Sequence, residues 1–73
     1  MTGVTGERAS VISEFVGIAD DFAARAQVQE ARRDRARPGT GVHHLHAHSA
    51  TLWRLAESSL RVRIQELEID SAM

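Results

Sequence analysis

Cysteine, tyrosine and lysine are absent from this 73-residue chain, and proline occurs once. Without cysteine there is no disulfide, no thiolate ligand and no thiol nucleophile. An excess of either charge is missing as well: nine basic residues, all arginine, face ten carboxylates, for a formal net charge of −1. That balance gives no bulk-charge argument for a dedicated nucleic-acid or membrane-surface binder. No apolar run approaches the roughly 18 residues of a membrane-spanning helix. The opening Met1-Thr2-Gly3-Val4-Thr5-Gly6-Glu7 lacks the basic and apolar regions of a signal peptide, so the expected location is the cytoplasm. Arginine as the sole basic residue, with abundant Ala, Val and Gly, suggests a GC-rich bacterial genome.

Size sets the next constraint. A chain below about 70–80 residues rarely gains more than ~3–5 kcal/mol from its own core. Disulfides, a metal or oligomerisation usually supply the remainder, and the first is ruled out here.

Residues 1–6, with two glycines and two threonines, read as a flexible leader. From Glu7 to Arg37 no proline intervenes, and only Gly17 argues against helix; Thr5 or Ser10 offers a cap. At 100° per residue, Val11, Phe15, Ile18 and Phe22 form one stripe, with Ile12, Val16, Ala19, Ala23 and Ala26 beside it. The stripe fails after Ala26, where Gln29, Glu30, Arg33 and Arg37 take its positions. Residues 27–37 are therefore expected to project into solvent or fray. Arg37-Pro38-Gly39-Thr40-Gly41 is the single strong break, and a connection this short favours antiparallel helices.

The second helix is expected over about 42–70, capped by Thr40 or Ser49. Its apolar arc spans about 220° on the same wheel. Leu52, Leu55, Val62 and Ile69 lie on one flank, and Trp53, Ala56, Leu60, Ile64 and Leu67 on the other. Ser59, Arg63, Glu66 and Asp70 interrupt its middle, while Arg54, Glu57, Ser58, Arg61, Gln65 and Glu68 form the polar back. An isolated hairpin covers one stripe per helix, so an arc this wide leaves large side chains wet. Each of them forfeits roughly 1.5–3 kcal/mol. The expected fold is all-α: a two-helix antiparallel hairpin, pairing with a second into a four-helix bundle as a dimer. The expected interface comprises Leu52, Trp53, Leu55, Leu60, Val62, Ile64, Leu67 and Ile69, with Phe15 and Phe22.

Two segments offer chemistry. In His43-His44-Leu45-His46-Ala47-His48, residues His44 and His48 share a helix face one turn apart. That spacing suits two imidazoles on one zinc, nickel or copper ion. The same pair also reads as an ordinary polar helix start, or as a pH-sensitive element, because imidazole titrates near neutrality. Arg32, Arg33, Arg35 and Arg37 form a basic end suited to phosphate or to an acidic protein partner. No aromatic is interleaved for base stacking, and a solvated helix end accounts for the arginines equally well.

No nucleophile elbow, phosphate loop or dinucleotide fingerprint is present, so no catalytic residue is assigned. The expectation is a non-catalytic helical interaction module, self-associating or docked as an accessory subunit on a larger protein. The alternative is a metal- or nucleic-acid-responsive regulator built on His43–His48 and Arg32–Arg37.

Overall fold

The computed structural model describes residues 2–72, with side chains from Gly6 to Asp70 and at Ala72. Two α-helices, α1 (Thr2–Arg35) and α2 (Gly41–Ala72), pack against each other as a hairpin. The molecule is a rod with principal extents of 57 × 15 × 11 Å. Its radius of gyration is 16.7 Å, against about 11 Å for a compact domain of this length.

The reversal is built from the residues that break the helical pattern. The Thr40 N–H donates to the Arg37 carbonyl across Pro38-Gly39 at 3.2 Å, and Gly39 has φ +84°. Proline second and a positive-φ glycine third are the requirements of a type II turn. Thr40 then caps α2. Its Oγ1 accepts from the His43 N–H at 3.2 Å and donates to the Arg37 carbonyl at 2.6 Å. Its carbonyl accepts from the His44 N–H at 3.1 Å. At the end of α1 the Ala36 N–H is shared between the carbonyls of Arg32 and Arg33, both at 3.1 Å. Of the two caps offered by the sequence for α2, Thr40 is the one used, and Ser49 lies within the helix.

Helix α1 reaches back to Thr2, through residues read from the sequence as a leader. Residues 2–6 contain no proline, so nothing interrupts the backbone hydrogen bonds there. Residues 27–35 likewise stay helical rather than fraying. They lack an apolar face, but α2 starts at Gly41 and lies alongside them. His46 Nδ1 meets Gln29 Oε1 at 2.8 Å, and Ala36 is half-buried.

The inward positions of each helix alternate by three and four. On α1 they run through Ile12, Phe15, Ala19, Phe22, Ala26, Gln29 and Arg33; on α2 through His43, His46, Ala50, Trp53, Glu57, Leu60, Ile64 and Leu67. The resulting core is thin. Its buried hydrophobic residues are Ala19, Ala26, Ala50 and Ile64, and no large side chain is fully enclosed among the described residues. Phe22 and Trp53 contact at the centre of the rod, ring centroids 5.5 Å apart and planes tilted by 44°. The Arg25 guanidinium lies 5.2 Å from the Trp53 ring centroid, within cation–π range. Accessible surface is 5433 Å², roughly 1,000 Å² more than the ~4,450 Å² of a compact monomer of this mass.

Candidate interaction face

The ten residues expected at an interface separate into two groups. Ile64 is buried, and Phe15, Phe22, Trp53, Leu60 and Leu67 are half-buried; these six lie in or beside the α1–α2 seam. Leu52, Leu55, Val62 and Ile69 face away from it and remain 53–60% exposed. Leu45, at 65%, extends the same stripe by two turns toward the hairpin tip. It had a legible signal, since it precedes Leu52 by seven residues just as Leu55 precedes Val62.

The outer stripe of α2 passes through Leu45, His48, Leu52, Leu55, Ser59, Val62, Glu66 and Ile69, again in steps of three and four. On a helical wheel it stands about 160° from the inward stripe. Helix α2 therefore carries two seams on nearly opposite sides, and α1 covers one of them. Along the outer seam Glu66 receives a 2.8 Å bond from Arg63 Nη1 one turn away.

An ion network joins the sector of the wide α2 arc that faces α1 to that helix. Arg54 grips Glu30 of α1 through two bonds, Nε to Oε2 at 3.0 Å and Nη2 to Oε1 at 2.8 Å. Its Nη1 donates to Glu57 Oε1 at 3.0 Å, and Arg61 Nε donates to Glu57 Oε2 at 2.8 Å. Arg61 Nη2 then reaches Asp20 of α1 at 3.1 Å. The Arg54 hydrogen bond holds the Glu30 carboxyl below its ordinary value of 4.5. Bonds from Arg61 and then Arg54 hold Glu57 below it too. Hydrogen bonds to Glu30 and then Glu57 raise Arg54, and those to Glu57 and then Asp20 raise Arg61. The helical wheel assigns Glu57 to the polar back of α2. In the structure its side chain is 15% exposed, at the edge of the seam, where two arginines compensate it.

The histidines divide between the two seams. His44 and His48 are exposed on or beside the outer stripe, one turn apart as the spacing predicts. His43 and His46 turn inward, and the His43 and His44 rings meet edge to face at 5.9 Å. His43 Nδ1 is buried without a hydrogen-bond partner among the described residues. The tautomer carrying its proton on Nε2 leaves this atom an acceptor. Among the described residues no three His, Asp or Glu side chains converge as a metal-holding group.

Arg32, Arg35 and Arg37 are exposed, whereas Arg33 is half-buried and bonds Asp34 Oδ1 at 2.9 Å. Beside them, Glu30, Arg33, Ala50, Thr51, Arg54, Leu55 and Ser58 line an open hollow of about 230 Å³. No described helix is long and apolar enough to cross a membrane. No protein family, curated protein or solved structure matches the chain.

Proposed function

We propose that this chain is a self-associating helical interaction module, docking through the outer face of α2 so that two hairpins combine into a four-helix assembly. The observation that carries the reading is an imbalance. The hairpin buries three alanines and one isoleucine while leaving Leu45, Leu52, Leu55, Val62 and Ile69 more than half exposed along one seam.

The energetics favour association. Each of these side chains gains roughly 1–2 kcal/mol on completing its burial, so the ten in a dimer supply on the order of 10–20 kcal/mol. Association costs an estimated 4–15 kcal/mol in lost freedom and ordering. The excess surface of roughly 1,000 Å² is also comparable to one partner's share, about 800 Å², of a standard interface. On this reading the module works by binding.

Absolute mass from light scattering at micromolar concentration tests this, with EDTA and again with zinc. A metal-independent multiple of 8.0 kDa is expected. Changing Leu52 and Leu55 together to Asp returns the mass to one chain and preserves helical circular dichroism at low temperature. A monomeric native chain overturns the proposal. An assembly formed only with zinc, and lost when His44 and His48 become Ala, overturns it in favour of metal-bridged pairing.

A further inference from the structure

We infer that the occupant of the outer α2 face is a second copy of α2 running antiparallel, its two-fold axis level with position 57, so that His48 of each copy meets Glu66 of the other. The inference rests on the self-association reading and adds orientation, register and a polar contact.

It follows from the order of residues along the outer seam. Apolar side chains dominate, with His48 near one end, Glu66 near the other and the small Ser59 near the middle. Antiparallel pairing about position 57 sets Leu45 against the partner's Ile69, Leu52 against the partner's Val62, and Leu55 over the partner's Ser59. His48 then faces the partner's Glu66, the one acidic residue of the seam. Arg63 already donates one bond to that carboxylate at 2.8 Å, and a carboxylate has lone pairs for an imidazole as well. Ala56 and Ser58 flank the axis, so the backbones approach closely and no like charges meet there.

The alternatives are poorer by the same residues. Parallel pairing in register stacks Glu66 on the partner's Glu66 and Ser59 on the partner's Ser59, which joins a repulsion to a void. An antiparallel slip of one heptad in one direction places Leu55 on the partner's Glu66. A slip in the other direction leaves Ile69 with nothing to face. Because the two seams of α2 stand about 160° apart, the assembled helices form a flat row with the two α2 helices at its centre. A square bundle brings each helix's neighbours at nearer 90°.

The native chain contains no cysteine, so introduced thiols report orientation without background. Leu45→Cys and Ile69→Cys chains, mixed and oxidised, are expected to form a crossed disulfide, and neither chain alone should link to itself. In the antiparallel pair like positions lie about 36 Å apart, far beyond disulfide reach. Leu45→Cys chains linking to one another would establish parallel pairing and overturn the inference. An unlinked dimer by mass would overturn it while self-association stands, and an unlinked monomer would overturn both. The polar contact has its own readout. His48→Glu, felt twice in a two-fold dimer, weakens dimerisation roughly fivefold, and adding Glu66→Arg restores it. A double variant weaker than the single one would exclude this register.

Discussion

Gly17 lies within α1, and a Cβ built there meets nothing within 4 Å. It therefore contributes only the entropic cost of glycine in a helix, and Gly17→Ala is expected to stabilise the fold by about 0.5–1 kcal/mol. Thermal denaturation monitored at 222 nm checks this through a rise in Tm. Gly39 is the opposite case. Open space also surrounds its Cβ position, but its φ of +84° belongs to the turn, so Gly39→Ala is expected to destabilise by about 1 kcal/mol. Thr40→Ala removes the acceptor for the His43 N–H and should cost a similar ~1 kcal/mol. A chemical-denaturation midpoint unchanged in either turn variant would show that the turn does not hold the hairpin.

At the scale of the helices, the ion network makes stability depend on pH in a defined sense. Glu30 and Glu57 have carboxyl pKa values lowered in the folded state by their arginine partners. A lowered folded value favours the native state above the unfolded carboxyl pKa, and that contribution disappears as pH falls through the folded value. The stability contributed by these two carboxylates should therefore be lost as pH falls below their ordinary value of 4.5, seen as an acid limb in the Tm. Replacing Glu30 and Glu57 together with Gln should flatten that acid limb; an unchanged limb would place the acid sensitivity elsewhere. The network also explains what the sequence did and did not disclose. Pro38, Gly39 and the two apolar periods made both helices and the reversal legible. The arc of α2, about 220° wide on the helical wheel, left open which sector would meet α1, since large apolar side chains line both of its flanks. Charge partners 24 and 41 residues apart, Glu30 with Arg54 and Asp20 with Arg61, tie the sector that faces α1 to that helix. Nothing in local periodicity reports such pairings. For the same reason the sequence alone does not show that His46, 17 residues on, supports the polar stretch around Gln29.

For the molecule as a whole, the thin core and the bare outer seam predict two separable kinds of mutant. Ile64→Ala truncates the largest of the buried side chains among the described residues and should lower hairpin stability by about 2–4 kcal/mol, even in a variant unable to associate. Leu55→Ala on the outer seam should leave the dissociated hairpin nearly unchanged and reduce only the concentration dependence of Tm. Parallel losses in the two variants at high dilution would mean that the inner and outer seams are not independent.

The turn also sets an order of assembly. Facing residues are separated by 17 positions at Gln29–His46, 24 at Glu30–Arg54 and 41 at Asp20–Arg61. Loop-closure entropy grows with that separation, so the least costly route zips from the tip toward the open end. The polar contacts near the turn are then expected in the folding transition state, ahead of the apolar contacts around Ile12 and Leu67. Kinetic φ-values should accordingly be high for Thr40→Ala and fall toward zero for Ile12→Ala. The hairpin would thus fix its helix register with charges and caps before its more adhesive half closes.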